Sequence, residues 1–203
     1  MLSKSLIFLE NAFPYQERIK FRCPADASEI ENMKSWLDYP ITKELEELYS
    51  WHDGEEPDLI GDVAIFGFSF LCISEGIKVA QEFESMELAQ GCDENWIKKF
   101  FPVGEFDGGY VLATLSNVDK QKSQIFYYLI EDGEAFLFHQ GISEMVAALG
   151  KYWSSYPMSE EKMNEIRVKE SPNAWTDRQK GDSNVRGVKN VFSLDNELPE
   201  ALI

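Results

Sequence analysis

The chain of 203 residues carries 36 Asp and Glu against 19 Lys and Arg, a formal net charge of −17. That balance speaks against binding nucleic acid or an anionic membrane surface, both of which ask for a basic face. At 44% hydrophobic and 13% aromatic, the chain has enough apolar surface to offset ordering entropy, so a globular domain is expected rather than a disordered acidic tail.

At the N-terminus the apolar run Leu6 to Leu9 is ended by Glu10 and Asn11 before it reaches signal-peptide length, so it is expected to be part of the fold. No uncharged stretch is long enough to cross a bilayer. Three cysteines, Cys23, Cys72 and Cys92, cannot all pair within one chain; a reducing compartment and a cytoplasmic protein are expected.

The segment from Ala25 to Leu37 places Ile30, Met33, Trp36 and Leu37 at helical spacing and predicts an amphipathic helix with Asp26 or Ser28 as N-cap. Pro40 interrupts and favours a fresh start. A second helix follows, with Ile41, Leu45, Leu48 and Tyr49 on one side and Glu44, Glu46 and Glu47 on the other, stopping near Gly54. From Val63 to Cys72 the period changes to two, and Phe66, Phe68, Phe70 and Cys72 share one face of a predicted strand. A helix is expected from Ser74 to about Leu88, and β-rich runs at Tyr110 to Leu115 and Ile125 to Ile130. The second run leads through Asp132-Gly133 into Ala135 to His139, a hairpin signal because both turn residues tolerate positive φ. A last helix, Ser143 to about Trp153, aligns Met145, Val146, Leu149 and Tyr152 or Trp153, and Pro157 ends it. Beyond it a short helix is expected from Ser159 to Lys169, followed by a polar stretch to Asn190. The order predicts an α+β domain over residues 1–156, with a central, mostly antiparallel sheet and packed helices, and a polar extension over 157–203.

The charge is unevenly spread. Residues 151–203 hold eight basic and nine acidic residues, a net of −1, which leaves −16 on the first 150. The densest segment, Lys43 to Asp62, sets one lysine against eight acids. This is either a solvated face that maintains solubility or a docking surface for a basic partner, with Glu44, Glu47, Glu55, Glu56, Asp58 and Asp62 as the candidate contacts.

Enzyme chemistry finds little footing. Trp51-His52-Asp53-Gly54 could suggest a metal or hydrolase site, yet the only other histidine is His139, too few imidazoles for a His-rich centre. The block is better read as structure: Trp51 buried at a helix end, His52 and Asp53 satisfying backbone groups, Gly54 as left-handed cap. The cysteines lack C-x-x-C spacing, and Gly104, Gly108 and Gly109 match neither a Walker nor a dinucleotide fingerprint. No catalytic residue, metal or cofactor is expected.

Pro24-Ala25-Asp26-Ala27-Ser28-Glu29-Ile30, then Trp36-Leu37, Pro40 and Leu45-Glu46-Glu47-Leu48-Tyr49-Ser50-Trp51-His52-Asp53-Gly54, resemble the opening of the SUKH superfamily, which includes fungal regulators of cell-wall glucan synthesis and many bacterial immunity proteins. Phe70 to Ser74, Trp96 to Gly104, Asp107-Gly108-Gly109 and Ile142 to Met145 resemble later family segments in order, so the likeness runs from about Pro24 to Trp153. Tyr39 departs from the usual Leu before Pro40, and Tyr110 from the Asp that often follows the glycines. The resemblance implies a compact non-catalytic α+β domain with Tyr49, Trp51, His52, Asp53 and Gly54 as a structural motif. It also implies a protein toxin as partner, often a nuclease and therefore basic. The alternative is a regulatory or scaffold module that binds a host protein.

Overall fold

In the computed structural model of the protein, the structure describes residues 2–12, 21–56, 66, 68–90, 97–106, 109–116, 119–130, 134–155 and 192–193. Capping chemistry sets the first helices. α1 spans Leu2–Ala12 and buries Leu2, Leu6 and Leu9. α2 spans Ala27–Trp36 and is closed by a reciprocal box: Asp26 accepts from the Ser28 and Glu29 N–H groups at 2.7 and 2.9 Å, and Glu29 accepts from the Asp26 N–H at 2.7 Å. Of the two cap candidates the structure selects Asp26, and the Ser28 hydroxyl and Glu29 N–H hold its carboxyl below the usual range. α3 spans Lys43–Trp51, with Thr42 as N-cap accepting from the Leu45 N–H at 3.1 Å.

β1 is short, Ser69–Phe70, and leads into α4, Ile73–Gln90. A 3-10 turn at Ile97–Lys99 opens β2, Phe100–Phe106, followed by β3, Gly109–Thr114, β4, Ile125–Leu129, and β5, Glu134–His139. α5 spans Ile142–Ser155, and β6, Phe192–Ser193, comes last. The six strands form one sheet in the order β1-β2-β3-β4-β5-β6 with every neighbour antiparallel, so the expected α+β class holds.

Alternation along the strands sends side chains to two cores. Val103, Val111, Ala113 and Ile125 face α1, α2, α3 and α5, where Leu6, Leu9, Met33, Leu45, Leu48, Met145, Val146 and Leu149 are buried. Phe100, Leu112, Phe126, Tyr128 and Ala135 face the opposite way, against Val79, Ala80 and Phe83 of α4. The sheet is therefore the middle layer.

The hairpin strands Ile125–Leu129 and Glu134–His139 pair as expected, with Asp132-Gly133 outside the described residues. Phe66, Phe68, Phe70 and Cys72 are all buried, although among the described residues only Ser69–Phe70 is laddered. Residues 57–65 and 67, the side chains of Tyr152 and Trp153, and the helix expected from Ser159 to Lys169 also lie outside the described residues. Sequence periodicity missed β2, because Pro102 and Gly104 break its pattern; the register slips between those two residues, so the donor that proline lacks falls at a bulge.

Candidate functional site

The block that carries the resemblance, Tyr49 to Gly54, is a junction between three stretches of chain. Tyr49 is fully buried at the end of α3 and its hydroxyl donates to the Leu71 carbonyl at 3.2 Å. Burial pushes that phenol well above its ordinary pKa, so it stays a donor at any physiological pH. Trp51 is half-buried and donates its indole N–H to Glu10 of α1 at 3.3 Å. His52 Nδ1 lies 2.8 Å from the Arg22 carbonyl, which can only accept, so Nδ1 carries the proton. Phe21 stacks on the His52 ring at 4.6 Å between centroids and packs against Trp51 at the same distance.

The backbone closes the junction on both sides. Ala25 donates to Tyr49, Asp53 to Cys23 and Arg22 to Gly54, while Glu55 donates to Phe70 at 2.8 Å. Phe21 and Glu55 thereby form one isolated antiparallel bridge beside β1, which Glu55 reaches through its bond to Phe70. The Arg22 guanidinium reaches the Glu55 carbonyl and pairs with Glu75 at 3.1 Å, and Glu75 in turn accepts from the Cys72 N–H at the start of α4. Neither Arg22 nor Glu75 stood out in the sequence. The usable signal was Glu75 three residues after Cys72, the spacing of a capping box.

Gly54 has a different role from the helix cap expected of it. α3 ends at His52, which is extended, and Gly54 lies two residues further on with φ +81°. A Cβ there would collide with the Cys72 backbone, lying 2.8 Å from its Cα. Glycine is required for close approach of two backbones as well as for its dihedral.

Asp53 is 8% exposed and accepts from the Ile73 N–H at 2.8 Å, so it caps α4 from across the junction. Burial raises its pKa, opposed by the Ile73 N–H. A carboxyl whose folded pKa is raised binds its proton more tightly in the folded state, so stability declines as pH rises from the ordinary carboxylate range through the folded pKa. Asp53→Asn keeps an acceptor for Ile73 and removes the charge. Urea unfolding from about pH 4 to about pH 7 is expected to show wild type losing stability relative to this variant as pH rises. A wild-type advantage that grows with pH would contradict the assignment.

Glu44, expected on the docking surface, is instead inside. It is 8% exposed, and its carboxylate accepts from the N–H groups of Ser123 at 3.1 Å, Ile142 at 2.9 Å and Ser143 at 3.3 Å, and from the Ser143 hydroxyl. It caps α5 and ties the β3–β4 connection to the same point, where Thr42 and Ser123 share a buried hydroxyl contact. The Lys43 and Glu44 N–H groups complete the join by donating to the Lys120 and Gln121 carbonyls. The missed signal was positional. Glu44 lies three residues after Ile41 and four before Leu48, on the apolar face of α3.

The remaining docking candidates divide. Glu47 is half-buried, 3.9 Å from Lys43 and 3.4 Å from the Ser3 hydroxyl. Glu55 is half-buried and its Oε2 accepts from the Phe70 N–H at 3.4 Å, so it serves the junction. Glu56 is exposed, and Asp58 and Asp62 lie outside the described residues. Elsewhere on this side, exposed Glu31 and Glu46 share Lys34 at 3.0 and 3.3 Å. Such exposed pairs contribute little to stability and leave the acids accessible.

Both polar groups of the His52-Asp53 pair are thus spent on backbone partners. Among the described residues, no three His, Cys, Asp or Glu side chains are grouped so as to hold a metal ion, and no helix is long and apolar enough to cross a membrane. No curated protein matches the chain significantly. The family model described as SMI1 / KNR4 family (SUKH-1) matches residues 24–148, from the proline before the α2 cap into α5, and the chain belongs to that family.

Proposed function

We propose that this protein is a non-catalytic, cytoplasmic immunity protein that binds and neutralises a basic toxin, a nuclease in the first instance, through an acidic surface. The observation that carries the reading is the placement of charge: the first 150 residues hold a net −16, and the family domain lies within them. A nuclease must attract phosphate and is therefore basic, so an acidic inhibitor both steers fast association and covers the phosphate site. Glu44 and Asp53 are turned inward and Glu55 serves the junction, so the proposed contacts are Glu47 and Glu56, with Glu31 and Glu46 beside them, together with Asp58 and Asp62, which lie outside the described residues.

Association with a cognate basic nuclease toxin should slow steeply as salt is raised. Reversing Glu56, Asp58 and Asp62 together to Lys should cut the association rate about ten-fold or more at low salt, with the thermal midpoint unchanged. Salt-independent association would remove the electrostatic part of the proposal. Failure of co-expression to rescue cells from that toxin would remove the immunity role and favour a scaffold module binding a host protein.

A further inference from the structure

Among the described residues three large apolar side chains are exposed, and two of them, Ile7 and Phe8, are neighbours on α1. Leu2, Leu6 and Leu9 turn the opposite face of that helix into the core, so Lys4, Ile7, Phe8 and Asn11 form its outer ridge. Ile7 is 55% and Phe8 51% exposed. Phe8 is nonetheless held in place. A Cβ at Gly150 of α5 would lie 2.7 Å from two carbons of its ring, so the ring rests on α5 where glycine leaves it room. An aromatic ring fixed before binding loses little rotamer freedom on binding, which suits it to anchor an interface.

The ridge adjoins the proposed acidic contacts. Ser3, one turn before Ile7, donates its hydroxyl to Glu47 of α3, and Glu46 of α3 is joined through Lys34 to Glu31 of α2. The helices of this layer, α1, α2, α3 and α5, hold Lys4, Lys34, Lys43 and Lys151 against seven acids, a net of −3. An apolar ridge set in a negatively charged layer is complementary to an apolar pocket set in a basic surface. The family model begins at residue 24, so α1 adds this ridge to the matched domain.

We infer that the outer ridge of α1 is the apolar anchor of the docking surface: Ile7 and Phe8 enter an apolar pocket of the basic toxin while the acids of α2 and α3 meet its cations. The inference rests on the basic-partner reading and adds a division of labour to it. Charge sets how fast the partner arrives, and the ridge sets how long it stays and which basic protein is retained.

The test measures association and dissociation rates of a catalytically inactive form of a cognate basic nuclease toxin with three full-length proteins: wild type, Ile7→Ser, and Ile7→Ser combined with Phe8→Ser. The double variant should dissociate about ten-fold or more faster, and Ile7→Ser alone about three-fold faster, with association rate and salt dependence unchanged. Ile7→Ser replaces an exposed side chain and keeps the thermal midpoint, so the test stands even if Phe8→Ser loosens α1. Unchanged dissociation in both variants beside a steep salt dependence would overturn the inference and leave the basic-partner reading in place. Salt-independent association of the wild type, or none, would remove the basic partner and the inference with it. A wild-type dimer in sedimentation that Ile7→Ser returns to monomer would overturn the inference in favour of a second copy as the occupant.

Discussion

Glu44→Ala is expected to cost about 3–5 kcal/mol of folding stability, among the largest effects of any single side-chain truncation in this chain. The carboxylate accepts three backbone N–H groups and one hydroxyl in a buried setting, so its removal strands the Ser123, Ile142 and Ser143 donors together. For a chain of this size the thermal midpoint should fall by roughly 6–20 °C. Glu44→Gln retains acceptor capacity without the charge and should lose less, about 1–2 kcal/mol. Urea unfolding of the three proteins, with unchanged m-values, reads both numbers. A docking role predicts the reverse pattern. Glu44→Ala would then weaken partner binding and leave stability within about 0.5 kcal/mol of wild type, as surface substitutions do.

Gly54→Ala should be at least as damaging. The substitution meets two separate costs at one position. An L residue held at φ +81° loses about 1–2 kcal/mol, and the added methyl is driven into the Cys72 backbone, which the Ile73 to Asp53 bond and the Glu55 to Phe70 bond hold in place. Relief requires separating residues 53–55 from 70–72, which opens the end of the sheet and uncovers Tyr49. A loss of about 4 kcal/mol or more is expected, seen as an unfolding midpoint lowered beyond that of Glu44→Ala or as failure to accumulate folded protein. Gly54→Asn, which tolerates the dihedral but adds the same Cβ, separates the two costs: recovery by Asn would assign the effect to backbone conformation, and no recovery to the close approach. A Gly54→Ala protein with wild-type stability would refute both.

Local signals in the sequence were legible where a short-range pattern and the tertiary demand coincide. The α2 start was legible to within two candidate caps, Asp26 and Ser28, of which the structure uses Asp26, and the residues around Asp132-Gly133 write the β4–β5 pairing. The order of helices, hairpin and final helix was enough for the fold class. What the sequence hid depends on distant partners. β2 reads as broken because Pro102 and Gly104 sit at a bulge whose purpose is apparent only once β3 is alongside. Glu44 looks like Glu46 and Glu47 until α5 is brought to it. Gly54 was the right residue for a reason that no local rule contains, since its neighbour is Cys72 and not the end of α3. In the candidate docking set the same limit applies: acidity along the chain was visible, but which carboxylates face water is decided by packing.

One short helix thus supplies a carboxylate from its first turn and another from just beyond its last, and each seats the N-terminus of a later helix. For Glu44 the acceptor and its donor at Ile142 are 98 positions apart. On a ribosome adding about 5–20 residues each second, that distance is on the order of 5–20 s before the α5 amides that its carboxylate accepts are made, the Ser123 amide coming earlier. Until then the capping of α5 by Glu44, and with it the burial of the α3 face that Glu44 shares with Ile41 and Leu48, is incomplete. The nascent protein therefore matures at the moment α5 emerges. A chain stalled before Ile142 is the form that chaperones would have to hold.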